Sequence, residues 1–144
     1  MIRKATQFDL EAVTMLAMRL WPEQARAELE PEFATLLDGD EAAVFLLFAD
    51  GKAAGFAHCQ LRHDYVEGTD SSPVGYLEGI YVEEALRRRG HARALLAACE
   101  TWAAGRGCTE FASDCELGNE ASRAFHLHAG FDEANRIVCF AKRL

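Results

Sequence analysis

No apolar run in this chain is long enough to span a bilayer. No two cysteines stand in C-x-x-C spacing, and acidic residues outnumber basic ones. The first absence argues against a membrane-embedded helix. The second argues against a zinc ribbon or a dithiol redox site. The five cysteines, Cys59, Cys99, Cys108, Cys115 and Cys139, are odd in number. Several lie within apolar runs, so they read as small buried hydrophobes in a reducing compartment and not as a disulfide framework. The formal charge of −8 disfavours nucleic acid and anionic lipid as partners and favours a cationic one. Met1 to Thr6 has no secretory apolar stretch, which makes the cytoplasm the expected compartment. No repeat, low-complexity segment or linker interrupts the 144 residues, so a single domain over 1–144 is expected, large enough for a core.

What is present is an alternation of strand-like and helix-like segments. Ile2–Ala5 reads as a short strand. Asp9–Leu20 carries apolar residues at helical spacing, ended by Trp21-Pro22. Gln24–Leu37 reads as a second helix. Ala43–Ala49 is a continuous apolar strand, joined through Asp50-Gly51 to a strand over Ala53–Arg62. A polar loop, Tyr65–Gly75, leads to the strand Tyr76–Val82. A helix over Ala92–Arg106, a strand over Cys108–Ser113, a helix over Asn119–His128 and a last strand over Ile137–Ala141 complete the order. The pattern is α/β with mixed strand directions, and Tyr76–Ser113 is a strand–helix–strand crossover.

Between that strand and helix lies Arg87-Arg88-Arg89-Gly90-His91-Ala92. A basic, Gly-containing loop opening a helix is suited to an anion: main-chain N–H groups converge, the helix dipole adds positive character, and Gly permits close approach. The physics alone says phosphate, held mainly by the main chain.

The spacing Arg87-x-x-Gly90-x-Ala92 resembles the R/Q-x-x-G-x-G/A loop by which GNAT-type N-acetyltransferases hold the coenzyme A pyrophosphate. Asn119-x-x-Ser122-x-x-Phe125-His126-x-x-x-Gly130-Phe131 resembles that family's segment lining the coenzyme channel. The resemblance spans nearly the whole chain. It implies the GNAT acyl-CoA N-acyltransferase fold, a mixed central sheet flanked by helices, with acetyl-CoA as co-substrate and no metal. Leu20-Trp21, Tyr65–Thr69, Ser72–Val82 and Cys108–Asp114 are similar to one branch, the aminoglycoside 6′-N-acetyltransferases. That likeness implies Trp21, Tyr65, Glu78 and Asp114 as substrate contacts. Ile80, Tyr81 and Val82 would present main-chain groups to pantetheine and acetyl, with the Val82 N–H the expected oxyanion donor. Arg88, Arg89, Gly90, His91, Ala92 and Arg93 would cradle the pyrophosphate, and Asn119 would touch the coenzyme. A homodimer is implied as well.

Three positions depart from the branch pattern. His126 stands in place of the usual Tyr assigned to protonating the thiolate. Asn135 stands where a substrate-binding Glu is expected, and Gln24 where some members carry His. The five histidines are scattered, and no metal site is expected.

The chemistry of the residues agrees with the likeness. An aliphatic amine is protonated near neutral pH, so a carboxylate that accepts its proton assists attack on a thioester. Glu78 lies among apolar neighbours, and strand alternation places it on the face of Ile80, where partial burial would favour its protonated form. Asp114 ends a strand at the edge of the expected cleft and suits a cationic sugar. Trp21 and Tyr65 offer flat faces for sugar rings or ammonium groups. Two alternatives keep the fold: acetylation of another small amine (a polyamine, amino acid or peptide amine), or a noncatalytic acyl-CoA-binding module, in which Glu78 and Asp114 would be superfluous.

Overall fold

The computed structural model describes residues 1–144. Five strands, β1 (Ile2–Lys4), β2 (Ala42–Ala49), β3 (Lys52–Arg62), β4 (Val74–Val82) and β5 (Phe111–Ser113), form one sheet in sequence order. Neighbours are antiparallel except β4 and β5, which are parallel. The helices are α1 (Leu10–Leu20), α2 (Arg26–Asp38), α3 (His91–Gly105) and α4 (Glu120–His128). A single 3₁₀ turn, Gln7–Asp9, leads into α1, and Asp9 ties that turn to Arg3 of β1 through two hydrogen bonds of 2.8 Å.

Both sheet faces are covered, which is why β2 is apolar throughout. On one face Val13, Leu16, Ala17, Leu29 and Phe33 of α1 and α2 pack on Val44, Leu46 and Phe56. On the other, Leu95, Leu96 and Cys99 of α3 pack on Ala43, Leu47, Ala57, Cys59 and Leu77, with Phe125 and Phe131 at the margin. The expected helices and the first five strands form, with ends shifted by a few residues. Pro31 lies within α2 without ending it.

The expected last strand, Ile137–Ala141, does not form. Residues 132–144 carry no regular structure and are exposed throughout. Ile137, Val138 and Phe140 keep 65, 75 and 93% of their surface. The β propensity is present, but no strand of this chain lies beside the segment to pair with it.

Candidate active site

The opening in the sheet comes from a mismatch in strand length. β5 pairs with β4 only at Gly75, Tyr76 and Leu77, then ends, while β4 runs on to Val82. The Glu83 amide donates to the Ala54 carbonyl at 2.9 Å, in register with Val82 opposite Gly55. Antiparallel pairing alternates, so Tyr81 also turns its main-chain groups to β3, and Ile80 and Val82 turn theirs away, toward the side that β5 has vacated. The Arg87 Nε–H donates to the Val82 carbonyl at 2.7 Å from that side. The amides of Ile80 and Val82 therefore face the opening. Tyr81, expected beside them, presents no main-chain group there; its side chain packs toward α1 and α2.

Beyond β4 the chain turns through Glu84–Leu86 into Gly90, which caps α3 in the left-handed region at φ 82°. The Ala94 amide donates to the Gly90 carbonyl at 3.1 Å, the first bond of the helix. The amides of His91, Ala92 and Arg93 precede it, and no side chain caps them. An added Cβ at Gly90 would meet nothing within 4 Å, so the space above the cap is open. Arg88, also at positive φ (62°), Arg89 and Arg93 are exposed around it. Arg87 instead folds back on β4. These amides and guanidinium groups fit a pyrophosphate, and the free β4 edge fits an amide-bearing pantetheine arm.

Glu78 is not on the face of Ile80. Opposite β4, His58 faces Gly79 and Cys59 faces Leu77, so Glu78 is the extra residue of a β-bulge. The bulge leaves Leu77, Ile80 and Val82 toward α3 and turns Glu78 and Gly79 together toward α1. Nor is Glu78 in an apolar setting. Arg62, the last residue of β3, donates to its Oε1 from Nε (3.0 Å) and Nη2 (2.8 Å), and to its Oε2 from Nη2 (2.9 Å). The Arg62 guanidinium lies 3.4 Å from the Tyr76 ring centroid, and the Tyr76 hydroxyl donates to the Asp114 carboxylate. Burial and that carboxylate hold the phenol in its protonated form, with its pKa well above the usual range. Glu78, Arg62, Tyr76 and Asp114 thus form one connected group at the mouth of the opening.

Trp21, the C-cap of α1, lies across Gly79. A Cβ there would fall 2.6 Å from the indole, so Gly79 is required for Trp21 to sit against the bulge. Gln24 is half-buried one turn further on, its main-chain N–H donating to the Trp21 carbonyl at 3.0 Å. Tyr65 is exposed, and its hydroxyl donates to Glu67 Oε2 at 3.4 Å. The Asn135 Nδ2 donates to the other oxygen of Glu67 at 3.0 Å, which brings Asn135 to the Tyr65 loop.

His126 of α4 points at the end of β5. Its Nε2 stands 2.8 Å from the Ser113 hydroxyl and its Nδ1 2.7 Å from the Ser122 carbonyl. The imidazole packs against Phe131, with centroids 5.1 Å apart. Asn119 caps α4, its Oδ1 accepting from the Ser122 amide at 3.1 Å, which leaves its Nδ2 free to donate to a coenzyme. No group of three or more His, Cys, Asp or Glu converges on a metal position.

Arg62, Tyr76, Ser113 and Glu67 were not singled out from the sequence. Arg62 carried a signal, since it ends the polar alternation His58, Gln60, Arg62 on one face of β3. Ser113 carried none, because its role depends on where β5 stops.

A parallel strand pair that parts after three residues, followed by a glycine-capped helix with free amides, is the architecture of a coenzyme A-dependent acyltransferase. The chain belongs to the acetyltransferase (GNAT) family, whose model matches residues 10–131. It is 45% identical over 139 residues to an aminoglycoside N(6′)-acetyltransferase type 1 of Stenotrophomonas maltophilia, covering 96% of this chain and 90% of that one. It is 46% identical over 140 residues to the protein of the same name from Klebsiella aerogenes, covering 93 and 91%. Among solved structures, it is similar to AAC(6′)-Iy in complex with the bisubstrate analog CoA-S-monomethyl-acetylneamine. The TM-score is 0.96 at 40% identity, with 100% of this chain and 98% of that one covered.

Proposed function

We propose that this protein is an acetyl-CoA-dependent aminoglycoside 6′-N-acetyltransferase, an activity that would confer resistance to the drug. Residues 1–144 would act as one cytoplasmic catalytic domain. The observation that carries the reading is the placement of the Glu78–Asp114 carboxylate group directly beside the free Ile80–Val82 edge. It joins an acidic, aromatic-lined mouth to a thioester channel. The full-length likeness to aminoglycoside N(6′)-acetyltransferases supports the same substrate class.

The amine nitrogen attacks the thioester carbonyl, the C–S bond breaks, and a proton leaves the amine as one reaches the sulfur. The Val82 N–H faces the opening and is the donor for the oxyanion. Glu78 Oε2 accepts one hydrogen bond within the chain and has a lone pair for the amine proton, directly or through water. His126 supplies the proton to the thiolate. Transfer is direct, in a ternary complex. Cys59 and Cys99 are buried, and hydrogen bonding to Cys59 together with burial pushes the Cys99 thiol far up, which removes it as a nucleophile. Acetylation of an aminoglycoside panel with product mapping tests the reading.

A homodimer belongs to the same proposal. The β5 edge is open, and the apolar segment Ile137-Val138-Cys139-Phe140 is exposed and without regular structure. Two such features in one chain are complementary between two copies.

A further inference from the structure

The charge at the mouth of the opening is already partly neutralised from within. The Arg62 guanidinium occupies the place where a carboxylate (Glu78) and an aromatic face (Tyr76) together make a cation site. The pair is not locked. The Arg62 side chain is 39% exposed and that of Glu78 20% exposed. Its Nη1 has no partner within the chain, and Glu78 Oε2 accepts a single bond. Arg62 is the last residue of β3, where the side chain can swing toward the loop that follows. A substrate ammonium group that takes the guanidinium's place remakes charge-assisted hydrogen bonds on the same carboxylate, so the exchange replaces the bonds it breaks.

We propose that Arg62 is a built-in competitor for the acceptor: it holds the Glu78–Tyr76 site in the free protein and is displaced by a substrate ammonium group. This sets specificity. A monoamine that enters merely exchanges one cation for another and leaves the displaced guanidinium nearby, repelling it. A polycation also engages Asp114 and the acidic surface, and gains what the exchange itself does not give. Arg62 thereby selects polycationic amines over monoamines. The proposal rests on the reading of Glu78 as a substrate carboxylate.

The test compares kanamycin with the monoamine methyl 6-amino-6-deoxyglucopyranoside on the full chain with acetyl-CoA. In Arg62→Met the ratio of their KM values should narrow by about tenfold, mainly through a lower KM for the monoamine, the equivalent of roughly 1.4 kcal/mol. Arg62→Lys keeps the charge and should keep most of the discrimination. An unchanged or widened ratio, or a KM raised for both amines, would make Arg62 a strut for Glu78 and overturn the proposal. A readout on the unsubstituted protein covers the case in which Arg62→Met does not fold. The Arg62 Nε–H signal in nitrogen-15 NMR should shift and exchange faster with water when kanamycin is added to the coenzyme A complex; a signal that stays in place overturns displacement. Failure of the underlying reading is separately visible, as an unchanged kanamycin kcat/KM in Glu78→Gln.

Discussion

The Nε2 of His126 stands 2.8 Å from the hydroxyl of Ser113, at the point where β5 stops and β4 continues alone. Its Nδ1 faces the Ser122 carbonyl, which can only accept, so Nδ1 carries a hydrogen and Nε2 is left to exchange one with Ser113. Donated to Ser113, an Nε2 proton leaves the serine hydroxyl free to donate to the Leu77 carbonyl, 3.3 Å away. His126, Ser113 and the Leu77 carbonyl thus form one hydrogen-bonded chain at the end of β5.

If that proton reaches the departing thiolate, His126→Phe should lower kcat by roughly 10- to 100-fold, within the usual span of a positioned acid. Ser113→Ala should lower it less. Steady-state rates at saturating acetyl-CoA decide this. An undiminished kcat in His126→Phe would reduce the residue to packing between Phe125 and Phe131.

Gly90 tests the coenzyme loop. A Cβ there meets no neighbouring atom within 4 Å, so a loss reflects chiefly the left-handed backbone and the approach of phosphate. Gly90→Val should weaken coenzyme A strongly in calorimetry, and Arg88→Ala less. Unchanged affinity in Gly90→Val would remove the loop from the site.

The face of Glu78 illustrates where sequence reasoning stopped. The strands, the helices and the phosphate loop were legible because period-2 and helical spacings and the Gly90 loop are local signals. The bulge at Glu78 is not: it exists only as an offset between β3 and β4, and one extra residue moves a side chain to the other face. Arg62 was hidden for the same reason, since its partner lies sixteen positions away on another strand. The segment Ile137–Ala141 failed in the opposite sense. Its local pattern is that of a strand, and no strand of the chain pairs with it.

His58 gives a pH dependence of stability. It is buried against Phe33, its Nε2 has no hydrogen-bond partner, and desolvation lowers its pKa from 6.5 to about 4. The unfolded chain binds the proton more readily, so stability is full above about pH 6.5 and falls as pH drops toward 4. The loss approaches roughly 3 kcal/mol at the acid end. Denaturant melts of His58→Leu should be flatter across this window than those of the unsubstituted protein. Parallel curves would assign the acid loss to other groups.

The exposed C-terminal segment bears on assembly. Phe140→Asp should convert a dimer to a monomer in light scattering at micromolar concentration, since it places charge on the apolar segment. A monomer mass for the unsubstituted protein would contradict the dimer.

Glu78→Gln should lower kcat/KM for an aminoglycoside by roughly 10- to 1000-fold if the carboxylate takes the amine proton. Asp114→Asn should act mainly through KM, because its part is to attract and place a cationic amine. Initial-rate patterns should intersect, as for a ternary complex. A ping-pong pattern would require an acetylated protein and would point to a different mechanism.

The most direct measurement of the central claim is mass spectrometry of the product formed from acetyl-CoA and kanamycin. One acetyl group on the 6′-amine, and no reaction of an analogue bearing a 6′-hydroxyl, is the expected result. Acetyl on another amine, or none on any aminoglycoside tried, would contradict the assignment of the Glu78–Asp114 mouth to this substrate.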